Sequence, residues 1–184
     1  AFLVDCTGSM APALSMVKAQ LATIVKGDHS IKARLEAKTS GISVKLRVAV
    51  VGFRDVGDAV PLVHRQHAPG QLFTEDVEAI AGFLPQLVPE GGGDTCEDAC
   101  AVLDHVVASK DQWHGNAKIV VLITDAPCHG REFHDEGVRD DHPEPGQGSE
   151  EKADGSSRSS EEAFMRFFCD FAIPLDASLL LCSC

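Results

Sequence analysis

Three short segments of the sequence carry side chains that could bind a metal ion. In the first, D-C-T-G-S, Asp5, Thr7 and Ser9 occupy alternate positions; in the second, Thr95 follows a run of glycines. In the third, Asp125 directly follows the apolar run KIVVLIT. Carboxylate and hydroxyl oxygens are the ligands preferred by hard divalent cations such as Mg²⁺ and Mn²⁺, whereas zinc prefers imidazole or thiolate. The three segments therefore predict an oxygen-lined cation site.

Apolar periodicity predicts the elements that would position these residues. Runs of four to eleven apolar or alternating residues predict strands, and apolar residues spaced three and four apart predict helices. Their alternation predicts an α/β fold, in which a Rossmann-like, doubly wound and mostly parallel sheet has helices on both faces and one short antiparallel edge strand. The predicted strands are residues 2–5, 43–53, 61–67, 118–124 and 178–182, and the predicted helices are residues 9–24, 74–84, 95–108 and 160–169.

The expected fold explains how distant segments would meet. In open parallel sheets, ligands bind beyond the carboxyl ends of the strands. Asp5 and Asp125 each end a predicted strand, and Thr95 begins a predicted helix. We therefore expect two carboxylates and three hydroxyls to surround one ion, with coordination positions left for water or an incoming carboxylate.

The same segments resemble the metal-ion-dependent adhesion site of von Willebrand factor A (VWA) domains, whose pattern is D-x-S/T-x-S, then T, then D. The stretches D-C-T-G-S-M, V-G-F-R-D, G-G-D-T-C-E-D and I-T-D-A-P-C-H-G are most similar to the VWA domains associated with protist and fungal α-kinases. The resemblance implies that Thr7, Ser9 and Thr95 bind one Mg²⁺, Mn²⁺ or Ca²⁺ ion through their hydroxyls. It also implies that Asp5 and Asp125 bind it directly or through water, and that an Asp or Glu of a partner protein completes the shell.

The resemblance predicts a non-catalytic protein-interaction module. The chain contains neither a Gly-rich phosphate loop nor the catalytic Lys and Asp set of a kinase, so kinase activity is not expected. One alternative is a Mg²⁺-dependent phosphotransferase of the haloacid dehalogenase type, with Asp5 as nucleophile and Asp125 on the metal; that family has a second Asp where this chain has Thr7. Another alternative is a structural domain with a vestigial metal site.

Several of these residues also have ordinary structural interpretations. Ser9 and Thr95 are typical helix N-caps. Asp94, together with Glu97 and Asp98, fits the charges of a first helical turn. Arg54 and Asp55, which follow the second predicted strand, fit either a salt bridge or a support for the loops beneath the site. We assign Arg54, Asp55 and Asp94 as supporting residues.

A second, zinc-binding site is also considered. Cys128, His129 and His134 follow Asp125 closely, and Cys6 would be a fourth ligand if its strand neighbours that of Asp125. The spacing lacks a paired C-x2-C, so packing of the cysteines in the core is the competing interpretation.

Composition limits the remaining possibilities. The formal charge of −12 argues against nucleic acid as a partner, and the absence of an apolar run of about 20 residues argues against a membrane span. Seven cysteines without framework spacing favour a reducing, cytoplasmic compartment without excluding an extracellular one. We expect one domain over residues 1–184, cut at both ends, with an acidic and flexible insertion at residues 131–158.

Overall fold

A five-stranded sheet forms the centre of the protein. In the computed structural model, the described residues are 1–39, 42–64, 70–142 and 177–183, the last range by its backbone alone. The strands lie in the order β3-β2-β1-β4-β5. Their bounds are β1 Phe2–Asp5, β2 Val50–Phe53, β3 Leu62–His64, β4 Lys118–Thr124 and β5 Ala177–Ser183.

Strand direction brings two carboxylate-bearing strand ends together. β1 pairs in parallel with β2 and β4, and β4 pairs in parallel with β5. β3 pairs antiparallel to β2 at the sheet edge. Since Phe2 is in register with Val121, the end of β1 at Asp5 lies beside the end of β4 at Thr124. The expected α/β fold with a mostly parallel sheet and a short antiparallel edge strand is confirmed.

Helices cover the sheet on both sides because β1 and β2 are apolar on both faces. Their bounds are α1 Leu14–Val25, α2 Ile31–Lys38, α3 Val77–Phe83 and α4 Ala99–Ala108. Leu3 and Val51 pack with apolar residues of α4 in one core. Val4 and Val50 pack with residues of α1 and α3 in a second core, as the two-residue period of a strand requires. No helix among the described residues is long and apolar enough to cross a membrane.

Three helices begin later than the sequence predicts. α3 begins at Val77 rather than near Thr74, because Asp76 is its N-cap and accepts hydrogen bonds from the Glu78 and Ala79 N–H groups. Gly8–Met10 form a 3-10 turn, and α1 begins only at Leu14. α4 begins at Ala99 rather than at Thr95, because the buried Asp98 is its N-cap and accepts a hydrogen bond from the Ala101 N–H at 3.0 Å. The interpretation of Thr95 as a helix cap is therefore wrong, and Thr95 lies on a loop.

Two further differences lie near the start of the chain. α2, which the apolar period did not predict, begins at Ile31 after the N-cap Ser30, whose side chain accepts a hydrogen bond from the Ala33 N–H. Sequence analysis missed it because none of its residues is buried, so it has no apolar stripe to detect. β2 occupies only the last four residues of the predicted strand 43–53; upstream, Val48 forms an isolated bridge with Thr74.

The acidic insertion is described only in part. Residues 131–142 form turns and bends, which agrees with the predicted loop. The rest of the predicted insertion, up to residue 158, and the predicted helix at 160–169 lie outside the described residues. β5 covers the predicted last strand.

Candidate metal centre

Asp5 is the buried centre of the site. It ends β1, and its Oδ1 accepts hydrogen bonds from the backbone N–H of Thr7 at 2.8 Å and from the Thr7 hydroxyl at 2.7 Å. Its Oδ2 accepts from the Thr124 hydroxyl at 2.8 Å. Burial raises the pKa of Asp5, the bonds from Thr7 and Thr124 work against this rise, and the nearby charge of Asp125 adds to it. All these side-chain donors are neutral hydroxyls, so they orient the carboxyl without neutralising it.

Ser9 and Asp125 extend the site to the surface. The Thr7 and Ser9 hydroxyl oxygens are 3.1 Å apart, and the Ser9 hydroxyl donates to Asp125 Oδ1 at 2.9 Å. Asp5 and Thr7 are buried, whereas Ser9 and Asp125 are exposed. The structure therefore joins four of the five predicted ligands in one hydrogen-bonded chain that runs from the sheet to solvent.

Thr95, the fifth predicted ligand, has a different environment. Its side chain is exposed, and its backbone N–H donates to the Arg139 carbonyl at 3.1 Å. Within the described part of the chain, no hydrogen bond joins the Thr95 side chain to the other four residues. Its role as a ligand stays a prediction.

The acid that the structure does bring to the site is Glu97. It is only 3% exposed, and its backbone N–H donates to the Pro127 carbonyl at 2.9 Å. Gly92 brings the loop close: at φ +83°, a Cβ there would lie 3.3 Å from both Glu97 Oε1 and the Cβ of Thr7. Among the described residues, Glu97 Oε2 has no hydrogen-bond partner.

Glu97 keeps its proton to a much higher pH than an ordinary glutamate. Its pKa rises to about 8, first because it is desolvated and second because Asp5 is close, while the Thr7 hydroxyl works in the opposite direction. Sequence analysis assigned Glu97 to a first helical turn. The sequence shows only three acids close together, Asp94, Glu97 and Asp98, and does not indicate which of them the loop would bury beside Asp5.

Arg54 holds the loops beneath the site. Its guanidinium, only 5% exposed, donates to three backbone carbonyls, those of Cys6 at 3.4 Å, Val60 at 3.2 Å and Val88 at 3.3 Å. It also lies 3.4 Å from the carboxylate of Glu90. Because these carbonyls belong to three separate loops, one side chain fixes their relative position.

A buried histidine links two further loops. His129 Nε2 lies 2.7 Å from Asp55 Oδ1, and Nδ1 lies 2.8 Å from Asp140 Oδ1. Burial alone would lower the pKa of His129, but the bonds to Asp55 and Asp140 outweigh it and raise the pKa to about 9. Burial would likewise raise the pKa of Asp55, yet bonds from His129 and from the Gly93 N–H hold it below its ordinary value. The imidazolium therefore connects the loop after β2 to the loop after β4.

Asp94 belongs to the same connection. One of its oxygens accepts from the Cys96 N–H at 3.0 Å, and the other accepts from the Asp141 N–H. Of the predicted supporting residues, Asp55 and Asp94 thus hold the loop that precedes Glu97 against the segment 129–141.

The residues considered for zinc are distributed over different contacts. Cys128 Sγ lies 3.0 Å from Cys100 Sγ. Among the described residues, the His134 ligand atom lies within 4.8 Å of those of Cys96 and Asp140, while that of His129 groups with Asp55 and Asp94. A zinc ion shared by Cys128, His129 and His134 stays a prediction.

The arrangement offers oxygen atoms of the type that small hard cations bind. Asp5 and Glu97 place two carboxyls in a space withdrawn from water, where the charge of Asp5 raises the pKa of Glu97 and the charge of Asp125 raises the pKa of Asp5. A divalent ion would offset the repulsion between these carboxylates, and it would bind the free oxygen of Glu97. The remaining oxygens, on Thr7, Ser9 and Asp125, suit Mg²⁺ or Mn²⁺.

Comparisons with known proteins support the predicted relationship in part. No known family matches the chain in a scan against protein-family models. The chain is 31% identical over 134 residues to the alpha-protein kinase vwkA of Dictyostelium discoideum. The alignment covers 72% of this chain but 19% of that protein, so the chain spans about a fifth of the length of the curated relative it matches. The chain is thus similar to one segment of an alpha-protein kinase.

Proposed function

We propose that this chain is a VWA-type interaction module that binds one divalent cation and, through it, an acidic residue of a partner protein. Asp5, Thr7, Ser9 and Asp125 supply the ligands that follow the VWA motif, and Thr95 is the motif's remaining ligand. The order of these residues along a mostly parallel sheet supports the proposal, as does the similarity to vwkA, a protein named as an alpha-protein kinase.

The observation that carries the proposal is the free oxygen of Glu97. A buried polar atom without a partner costs about 1–3 kcal/mol, and more when its group is charged. Glu97 Oε2 is such an atom in the described part of the chain, and it belongs to a carboxyl beside Asp5. A further hydrogen-bond donor would satisfy only Glu97 Oε2, whereas a divalent cation would also offset the negative charge of Asp5.

The distribution of burial suggests how a partner would reach the ion. Asp5, Thr7 and Glu97 are buried, whereas Ser9 and Asp125 are exposed. The buried residues would bind one side of an ion among them, and the other side of the ion would face solvent. A cation that keeps positive character on that side attracts an external carboxylate, which would replace a bound water.

We propose that the chain itself is non-catalytic. In a phosphotransferase with Asp5 as nucleophile, the attacking carboxylate oxygen must be accessible, but both Asp5 oxygens accept hydrogen bonds from Thr7 or Thr124 and the residue is fully buried. The kinase activity in the name of vwkA belongs to a protein about five times as long as the aligned region.

Calorimetric titration with Mg²⁺ and Mn²⁺ tests the proposal. The wild-type chain should bind one ion, and Asp125→Asn should weaken binding by at least about tenfold, the loss expected when a group that shapes a metal site is removed. Asp111→Asn, which changes an exposed acid in the turn after α4, is the matched control and should bind as the wild type does. Equal affinity of the wild type and Asp125→Asn, or no binding by either, would contradict the proposal.

A further inference from the structure

A second group of metal-binding atoms lies in the described residues, separate from the oxygen-lined site. One ligand atom from each of Cys96, His134 and Asp140 lies within 4.8 Å of the other two. We call these residues the Cys96 cluster. Cys96 is fully buried, and the side chains of His134 and Asp140 are 8% and 2% exposed. The cluster joins the loop before α4 to the loop after β4.

The ligand types of the cluster select a different metal from the first site. Thiolate sulfur, imidazole nitrogen and one carboxylate oxygen are the ligands of zinc, whereas Mg²⁺ takes oxygen almost exclusively. Zinc sites with three protein ligands keep their fourth position for water. The Cys96 cluster supplies three such ligands from two loops.

Asp140 is held in place for this role by its neighbours. Its Oδ2 accepts from the Gly130 N–H at 2.9 Å and lies 2.9 Å from His134 Nε2. Its Oδ1 accepts from the His142 N–H at 2.8 Å and lies 2.8 Å from His129 Nδ1. Hydrogen bonds of this kind orient metal-binding carboxylates and raise metal affinity.

A catalytic thiol is the competing explanation of a cysteine beside a histidine and an acid. A nucleophilic cysteine needs a lowered pKa. Burial first, and then the nearby carboxylates of Asp140 and Asp94, raise the pKa of Cys96 to about 12. His134 Nε2 also lies 2.9 Å from Asp140 Oδ2. The nitrogen that would take the proton of a catalytic thiol is therefore paired with the acid. A metal ion, by contrast, deprotonates a thiol that it binds.

We propose that Cys96, His134 and Asp140 bind one Zn²⁺ ion, with the fourth position left to water. This ion fastens the loop that carries Thr95 and Glu97 to the segment 130–140. It thereby holds the edge of the oxygen-lined site without belonging to it. The chain then has two metal sites of different chemistry, one for a hard ion and one for zinc.

Titration of the full chain with Co²⁺, a spectroscopic probe of zinc sites, tests this proposal. The wild type should bind one Co²⁺ with the visible absorption of a four-coordinate site and a thiolate charge-transfer band, and one Zn²⁺ should displace it. Cys96→Ser should abolish the thiolate band, and His134→Gln should weaken Zn²⁺ binding by about 100-fold, the upper range for changes around a metal. His134 is the second variant because it lies on a loop and belongs to neither apolar core, so its loss leaves the core intact.

Matched controls separate the cluster from its surroundings. Cys100→Ser removes a buried cysteine on α4, and His142→Gln removes a ring beside His129; both variants should keep the thiolate band and the Zn²⁺ affinity. Asp125→Asn should also keep them, and His134→Gln should keep Mg²⁺ binding, so failure at one site is distinguishable from failure at the other. The proposal is overturned if the wild type shows no thiolate band, or if Cys96→Ser and His134→Gln bind Zn²⁺ as the wild type does.

Discussion

The Ser9 hydroxyl donates a hydrogen bond of 2.9 Å to Asp125 Oδ1, which joins two residues that are 116 positions apart. The contact exists because β1 and β4 are parallel neighbours, so that the turn after one strand meets the end of the other. Ser9 also contacts the Thr7 hydroxyl at 3.1 Å. It is therefore the link between the buried half of the site, around Asp5, and its exposed half.

Removing this hydroxyl should weaken the cation site without unfolding the protein. Ser9→Ala deletes one oxygen ligand at an exposed position, and we expect Mg²⁺ affinity to fall by about tenfold while the melting temperature of the metal-free chain stays within a few degrees. Ser15→Ala, at an exposed position of α1, is the control. Calorimetry and thermal melts give both values; unchanged Mg²⁺ affinity in Ser9→Ala would remove Ser9 from the ligand set.

Replacing Glu97 should have opposite effects on the metal-free and the metal-bound protein. The folded pKa of about 8 lies above the ordinary value of 4.5, so the stability that Glu97 contributes is fully present below pH 4.5 and is lost as pH rises to 8. Glu97→Gln carries no charge, so it should melt higher than the wild type at pH 8 in the presence of a chelator. In saturating Mg²⁺, which binds the native state of the wild type, the wild type should gain stability and the variant should gain less.

The control for this experiment is Glu75→Gln, at an exposed position before α3. It should leave the pH dependence of the melting temperature and the response to Mg²⁺ unchanged. A Glu97→Gln chain that gains as much from Mg²⁺ as the wild type would show that Glu97 does not contact the ion.

His129 should be the most sensitive position of the loop network. His129→Gln replaces a buried imidazolium between Asp55 and Asp140, and breaking such a buried pair destabilises by about 3–5 kcal/mol because the partner charges stay buried. Urea denaturation at pH 6.5 measures the loss. His114→Gln, at an exposed position, should change little.

The pH dependence of the same contact has a defined sign. The pKa of His129 is raised from 6.5 to about 9, so its stabilising effect is complete below pH 6.5 and disappears as pH rises through 9. The difference in stability between the wild type and His129→Gln should therefore shrink across this interval. A difference that stays constant from pH 6.5 to pH 9 would mean that His129 is neutral in the folded protein.

Arg54 should stabilise the protein through the carbonyls that it binds. Arg54→Met keeps much of the apolar stem but leaves the carbonyls of Cys6, Val60 and Val88 without this donor, and we expect a loss of at least about 2 kcal/mol in urea denaturation. Mg²⁺ affinity should fall as well, because the Cys6 loop carries Thr7. Arg34→Met, at an exposed position of α2, should be close to neutral in both measurements.

Local sequence was sufficient to predict two central strands of the sheet. KIVVLIT forms β4 at the predicted residues, and the first apolar run forms β1 at residues 2–5. A continuous apolar run bounded by polar residues is typical of a strand inside a parallel sheet, and in β1 and β4 only Ile119 is exposed. The spacing of Asp5, Thr7 and Ser9, with Asp125 after β4, likewise predicted four residues that the structure places in one hydrogen-bonded chain.

Helix starts and loop acids depended on contacts that a local pattern does not contain. The choice between Thr95 and Asp98 as the cap of α4 follows from the burial of Asp98 and from the contact of the Glu97 N–H with the Pro127 carbonyl, 30 residues away. The exposed helix α2 buries none of its residues, so the apolar spacing of the sequence did not indicate a helix there.

The sequence by itself determined which strands form the sheet and which oxygen-bearing residues end them, since both follow from the polarity of neighbouring positions. The tertiary structure decided that Glu97 joins Asp5, that His129 lies between two carboxylates, and that Cys96 meets His134 and Asp140. The same glutamate can lie in a solvated turn or in a site withdrawn from water, and the residue type alone does not distinguish the two. Only the packing of distant loops sets the dielectric environment and the neighbours that make it a ligand.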